Sequence, residues 1–324
     1  MATLQKDLSV TQKHAFAKGT FSNLKCQWRK FFTFTQMLGR AEMPVSESVL
    51  CLYIQFLSRS LKSPVSIRNY VSGLKCLHEM LGFSFPSYDC MSVKLTFRGL
   101  DRLIQHVPQQ AEPITVSLLL RIHKLLDLSS PVHSVVWCLF LFSFLLFSRK
   151  LQFIPVSHSA AQLQLLVARQ DVFVSSNVLL VTFRWTKTRQ FGGQPLVIPM
   201  SPIPGSPLCP LVAFQHMVRL VPASPESPAF VIPTFKGLQP ILYSAFHQVL
   251  RSCISALGLQ ASRYSSHSFR RGGATFAFDC GLPADMIKSQ GDWKSDCYKL
   301  YIDISAKHRL VVAKTLARCM AYQV

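Results

Sequence analysis

The chain has 324 residues, 49% of them hydrophobic, and a formal net charge of +20. This length can bury a large core and favours two domains over one. Residues 1–108 carry +8 and residues 109–324 carry +12, which excludes a basic tail on a neutral body and predicts positive surface on both halves, as on a clamp for a polyanion.

From the N-terminus, apolar residues recur at helical spacing through Phe16, Phe21, Leu24, Trp28, Phe31 and Phe32, then through Leu50, Leu52, Ile54, Phe56 and Leu57. A third helix is predicted over 65–81, opening after Ser63-Pro64 and stopping at Gly82, and a fourth over 93–107. Residues 1–108 thus read as a four-helix domain. Lys18, Lys25, Arg29, Lys62, Arg68 and Lys75 punctuate it. Singly, each suits a solvated helix face; together they make a surface for phosphates.

Pro108-Gln109-Gln110-Ala111-Glu112-Pro113 marks a linker, taken as 109–115, before a second domain at 116–324. Two helical patterns follow, over 116–128 and 132–147. The apolar run 134–147 is too short to span a bilayer and ends at Arg149-Lys150, so it reads as a buried helix rather than a membrane segment. Strand-like runs lie at 163–168, 178–183 and 196–199, with Gly192-Gly193 able to turn a hairpin between the last two. The Pro/Ser-rich stretch 201–210 links this sheet to further helices, and from Tyr243 to the end the pattern is helical again. The fold class is mainly α with a small β-sheet (α+β), without internal repeats.

The ten cysteines form no C-x-x-C pair and sit in apolar runs such as Trp137-Cys138-Leu139, which predicts buried reduced thiols rather than disulfides or zinc ligands. The first residues lack the apolar stretch of a signal peptide, so an intracellular protein is expected. No Walker loop, H-E-x-x-H, carboxylate cluster or Cys/His zinc spacing is present, so neither metal nor cofactor is called for.

The chemistry-bearing stretch is His267-Ser268-Phe269-Arg270-Arg271-Gly272-Gly273, then Gly291-Asp292-Trp293 and Tyr301-Ile302. It gathers an imidazole, a guanidinium, an indole and a phenol, a set suited to attack of tyrosine on a phosphodiester. His267 and Arg270, three apart, share a helix face, and Ser265-Ser266 offers a cap before them. The small residues Gly272-Gly273-Ala274 permit close approach. Arg149 follows the apolar helix, and Lys187 lies in Trp185-Thr186-Lys187-Thr188-Arg189-Gln190 between two strand-like runs. A forked guanidinium suits phosphate oxygens, and a reachable ammonium suits protonation of a leaving oxygen. Tyr298 and Tyr301 both qualify as nucleophile, and spacing does not choose between them.

Taken together, these segments resemble the tyrosine recombinase (phage integrase) family, most of all the recombinases of eukaryotic DIRS- and Crypton-type mobile elements. The strongest likeness is in 267–274, Gly281-Leu282-Pro283, Ile287-Lys288, Gly291-Asp292-Trp293-Lys294-Ser295 and Tyr301-Ile302. Phe147-Ser148-Arg149-Lys150-Leu151-Gln152 and Thr186-Lys187-Thr188-Arg189-Gln190-Phe191-Gly192 are similar to the segments that hold the family's first arginine and its hairpin lysine. The resemblance implies a helical core-binding domain and a mixed α/β catalytic domain closing as a C-shaped clamp on double-stranded DNA. It implies Arg149 and Arg270 as phosphate clamp, Lys187 as general acid, and His267 and Trp293 as hydrogen-bonding partners of the phosphate. Tyr301 becomes the nucleophile, and no metal or other cofactor is needed. Arg189 and Arg271 join the expected DNA contacts.

The resemblance further implies DNA integration or recombination for a mobile element, a homotetramer on paired sites, and a nuclear location. The segment 304–321, with Leu310, Val311, Val312 and Leu316, suits docking onto a neighbour or packing on its own subunit. One departure is Gln152, where the family has an acidic residue supporting the histidine; another is Trp293, a histidine in many relatives. Two other functions share these features: a non-catalytic DNA-binding protein derived from a recombinase, and a type IB topoisomerase.

Overall fold

The computed structural model describes residues 2–39, 43–107, 109–189 and 194–302, and residues 310, 311, 313, 314, 317, 318 and 320. Contacts divide the chain into two compact units, Met1–Pro108 and Gln109–Val324.

The first unit holds α1 (Ala2–Lys13), α2 (Lys18–Met37), α3 (Glu47–Ser58), α4 (Pro64–Met80) and α5 (Met91–Leu103). The polar helix α1 has no apolar periodicity and was not expected. The other four bury one face each, with Phe31, Leu50, Tyr53, Ile54, Ile67, Val71 and Val93 fully enclosed. Start signals are local: the Ser46 hydroxyl accepts from the Val49 N–H at 3.4 Å, and Pro64 occupies the first turn of α4. His78 is a satisfied core histidine. Its Nε2 accepts from the Val45 N–H (3.0 Å) while Nδ1 donates to the Leu74 carbonyl (2.9 Å), a pairing that selects the neutral tautomer.

In the second unit, α6 (Val116–His123) leads to α7 (Pro131–Leu145). Every residue of α7 from Ser134 to Phe144 is buried, as an all-round apolar helix requires. No described helix is long and apolar enough to cross a membrane. After the short α8 (Ala160–Leu163), strands β1 (Val172–Ser175), β2 (Val178–Phe183) and β3 (Leu196–Met200) form an antiparallel sheet in the order β1-β2-β3. Its register pairs Val172 with Val181 and Val181 with Ile198. Then come α9 (Pro210–Leu220), the hairpin β4 (Val231–Thr234) and β5 (Gly237–Pro240), α10 (Tyr243–Ala256), α11 (Ser266–Asp279) and α12 (Ala284–Gln290).

The expected strand at 163–168 is absent. Its backbone is used elsewhere: Val167 N–H donates to Gln152 O (2.9 Å), and Val167 O accepts from Ala229 N–H (2.8 Å). The segment therefore stitches a turn to a loop through an isolated antiparallel bridge of Ala168 with Pro228, and the first strand starts at Val172. The β4-β5 hairpin was not expected. Helices predicted over 93–107, 116–128 and 132–147 end earlier, at Leu103, His123 and Leu145. The Gly192-Gly193 turn lies outside the described residues. The cysteine expectation is corrected as well: of the nine described cysteines, all free thiols, only Cys138, Cys209 and Cys253 are buried.

Candidate active site

Two helix ends build the centre of the site. At the end of α7, Phe147 takes a left-handed conformation (φ +46°), with Phe147 N–H donating to Phe144 O and Ser148 N–H to Ser143 O. This is a Schellman stop with phenylalanine where glycine is usual. At the end of α12 the same pattern recurs: Asp292 is left-handed (φ +51°), Asp292 N–H donates to Ser289 O and Trp293 N–H to Lys288 O. Aspartate tolerates that region better than most residues. A bulky phenylalanine does not, and its strain is held by the burial of its ring beside Trp293.

Arg270 joins the two ends. Its Nη1 donates to the Phe147 carbonyl, and its Nη2 donates to the Gly291 carbonyl at 2.8 Å. The guanidinium lies over the Trp293 ring, 3.7 Å from its centroid, and the residue is only 1% exposed. The negative ends of two helices thus face one cation. Burial pulls the Arg270 pKa down to about 9, aided by the nearby Arg149 charge and opposed by Tyr301. It remains protonated at neutral pH.

Arg270 reaches this place because α11 crosses α7 closely. A Cβ on Gly272 would collide with the Ile114 carbonyl, and one on Gly273 with the Phe144 carbonyl and the Phe147 ring. Phe269, one residue before Arg270, stacks on Phe140 at 4.8 Å. Ser265 caps α11: its hydroxyl accepts from His267 N–H (3.3 Å), while its own N–H donates to the Ser268 hydroxyl (3.0 Å). His267 therefore sits in the first turn. Its pKa is lowered, first by desolvation and then by the positive charges of Arg270, Lys150 and Arg149, so the ring is neutral at pH 7.

Arg149 lies four residues after the end of α7, just past its left-handed stop, and is held by Asp292. Its Nη2 donates to the Asp292 carbonyl (3.0 Å), and Nη1 lies 3.5 Å from the carboxylate. Tyr301 closes a 3-10 turn over Asp296–Leu300, its ring 5.2 Å from the Arg270 guanidinium, 5.4 Å from Trp293 and 6.3 Å from His267. The Thr275 hydroxyl donates to its carbonyl at 3.1 Å. Tyr298 is buried among Ala274, Ile287 and Trp293, whereas Tyr301 is half-buried. The structure thus gathers Arg149, His267, Arg270, Trp293 and Tyr301.

Lys187 is exposed between two anchored threonines. The Thr186 hydroxyl donates to the Asp292 carboxylate at 2.6 Å, and the Thr188 hydroxyl donates to the same group. Arg189 also turns to Asp292, Nε to Oδ1 3.5 Å, and donates to Gln194 O (3.1 Å). Arg271 donates to the Gln110 amide oxygen. Asp292 is the partner that residue reading missed. An aspartate after a helix-ending glycine, one of few acids in a basic segment, was the available signal. Gln152 is buried, and its amide oxygen accepts the Arg149 N–H at 2.6 Å. Among the described residues no hydrogen bond links it to His267.

In the first unit, Lys18, Lys25 and Arg29 are exposed and fall on one face of α2 at spacings of seven and four. Exposed Phe21 and Phe32 border that face, with Lys25 over the Phe21 ring at 4.7 Å. Lys62 is exposed too. Arg68 is engaged, gripping Asp101 with two hydrogen bonds (2.9 and 2.6 Å), and Lys75 pairs with Glu79 at 3.7 Å. Of 304–321, Val312 and Leu316 lie outside the described residues, while Leu310 and Val311 are helical and exposed.

No family model matches the chain, and no curated protein matches it. Solved structures do. The XerH site-specific recombinase bound to its difH substrate in a pre-cleavage complex superposes with a TM-score of 0.56 at 12% identity, covering 89% of this chain and 76% of that one. A lambda integrase dimer bound to a COC′ core site gives 0.57 at 11%, covering 93% and 94%. The Tn1549 transposon integrase in complex with circular intermediate DNA gives 0.55 at 12%, covering 95% and 97%. At such identities the likeness is one of fold, and by that measure this helical chain with its small antiparallel sheets has the fold of the tyrosine recombinases.

Proposed function

We propose that the chain breaks and rejoins double-stranded DNA through a 3′-phosphotyrosine formed by Tyr301. The observation that carries this reading is the convergence of Arg149, His267, Arg270 and Trp293, from three separate segments, around the half-buried Tyr301 ring. Cations and neutral donors brought together beside a phenol are what an in-line attack on a phosphodiester needs. As the Tyr301 Oη–phosphorus bond forms, the bond from phosphorus to the 5′-oxygen breaks. The phenolic proton passes to the neutral His267, and the leaving oxygen takes a proton from Lys187. The products are a covalent phosphotyrosine and a free 5′-hydroxyl. Because the ester keeps the energy of the broken bond, a 5′-hydroxyl from another strand can reverse the step, which makes the activity integration or recombination.

The α2 face with Lys18, Lys25 and Arg29 supplies phosphate contacts, and the dispersed charge of +20 supports a duplex as partner. Work on a mobile element, in the nucleus and as a tetramer on paired sites, belongs to the same reading. For assembly, an apolar cavity of about 520 Å³ beside Phe144, Phe276, Leu282 and Met286 can take the exposed Leu310–Val311 region of a second copy.

The test is a library of nicked duplexes with randomised cores, in which loss of a short fragment traps cleavage. Adducts that survive denaturation are recovered and sequenced. An enriched core joined through its 3′-phosphate supports the reading; no adduct from any duplex overturns it. On the enriched duplex, binding should weaken steeply with salt. The triple variant Lys18→Ala/Lys25→Ala/Arg29→Ala should lower the slope of log affinity against log salt by about 2 to 3, as each lost phosphate contact removes about one released counterion. An unchanged slope removes α2 from the interface.

A further inference from the structure

Asp292 lies at the end of α12, where Arg149 and the segment that carries Lys187 both reach it. Its carboxylate accepts from Thr186 and Thr188, the residues on either side of Lys187, and its carbonyl and carboxylate hold Arg149. Thr186 is fully buried and the Asp292 side chain is 11% exposed, so these are enclosed contacts rather than surface ones. Among the described residues, the backbone around Lys187 is otherwise held by a bridge between Thr186 and Arg189 beyond the end of β2 (Thr186 N–H to Arg189 O 3.4 Å, Arg189 N–H to Thr186 O 3.1 Å) and by Thr188 N–H donating to the Thr186 hydroxyl (3.3 Å). A lysine has a long stem, and its reach to a fixed phosphate is set by where its Cα is held.

We propose that Asp292 is a positioning residue that fastens the Lys187 segment to the arginine cluster, so that the proton donor and the phosphate clamp are held as one body. The left-handed backbone of Asp292 is part of the device. It turns the residue out of the end of α12, so that the carboxylate faces the threonines while the carbonyl faces Arg149. Arg189, 3.5 Å from the same carboxylate, gives the segment a third attachment. The structural half of this proposal stands on the contacts alone; its catalytic half rests on the recombinase reading. In that half, Asp292 acts through where Lys187 is carried and through its hold on Arg149, and Thr188 reports on the first of these alone.

Two measurements separate the halves. Asp292→Asn keeps a residue tolerant of the left-handed backbone while removing the charge and weakening the acceptor. In the full chain, amide hydrogen exchange over 184–189 should quicken about tenfold or more in this variant, as expected for loss of hydrogen bonds to a charged acceptor, with exchange in β2 unchanged. Equal exchange in the two proteins overturns the tie, whatever the activity. For the catalytic half, Thr188→Ala loosens the hairpin and leaves the Arg149 contacts in place. Its adduct formation on the enriched duplex should fall about 10²-fold, the effect of a misplaced catalytic group. A duplex whose scissile 5′-oxygen is replaced by sulfur needs no proton donor. On it, Thr188→Ala and Lys187→Ala should both return to within about threefold of wild type, because a thiolate leaves unaided. A Thr188→Ala defect that persists on the sulfur substrate overturns the positioning role. A wild type inactive on both substrates defeats the recombinase reading and leaves hydrogen exchange to decide the tie.

Discussion

Tyr301→Phe is expected to lower formation of the denaturation-resistant protein–DNA adduct by at least about 10⁴-fold, because removing a nucleophile abolishes the covalent step outright. The substitution deletes one oxygen from a half-buried ring that keeps its contacts with Trp293 and His267, so folding and DNA affinity should stay near wild type. Tyr298→Phe is the control. Its ring lies in the small apolar cluster with Ala274, Ile287 and Trp293, and adduct yield should remain within about threefold of wild type. The opposite pattern, with Tyr298→Phe inactive and Tyr301→Phe unaffected, would make Tyr298 the nucleophile. The two variants also separate the competing functions. A non-catalytic DNA-binding protein gives no adduct in either background and binds DNA equally well in both.

Much of the helical scaffold was legible because its signals are local. The 65–81 pattern became Pro64–Met80, and the apolar run at 134–147 became the buried α7, since periodicity and capping act within a few turns. The sheet was legible only where strands pair with each other. β2 and β3 stand where β-branched runs placed them, but 163–168 is apolar with Val167 as its one β-branched residue, and Val167 spends its backbone hydrogen bonds on Gln152 and Ala229. The β4-β5 hairpin was hidden by Pro233 and by a second strand poor in β-branched residues.

The site shows a similar division. Side chains with a chemical signature, Arg149, His267, Arg270, Trp293 and Tyr301, can be picked from the sequence, and the fold gathers them. What holds them has no such signature. The acceptors of Arg270 are backbone carbonyls exposed by two left-handed helix stops. Asp292 acquires its partners from where α12 ends. Neither feature follows from spacing, because both depend on how α11, α7 and α12 pack. Gln152 makes the converse point. As an expected partner of His267 it reads as a defect; in the structure it caps the turn that presents Arg149.

Arg270 carries the second large effect, on stability as well as activity. Arg270→Lys keeps the charge in a 1% exposed position but cannot donate to both Phe147 O and Gly291 O in a fixed fork. One carbonyl then loses its donor in a buried place, at about 1–3 kcal/mol, and the stacking on Trp293 is lost as well. The second unit should melt about 5–10 °C lower. At a temperature where the variant is still folded, adduct formation should fall by about 10²- to 10³-fold, the usual effect of removing an oriented donor to a developing charge. Arg149→Lys provides the contrast. With its side chain 23% exposed and, among the described residues, tethered to Asp292 alone, it should lose rate while its melting temperature moves by less than about 3 °C. A variant Arg270→Lys that melts with wild type would show that the two helix ends do not depend on the guanidinium between them. Loss of melting temperature with full retention of adduct formation would make Arg270 a structural bracket and leave Arg149 to clamp the phosphate alone.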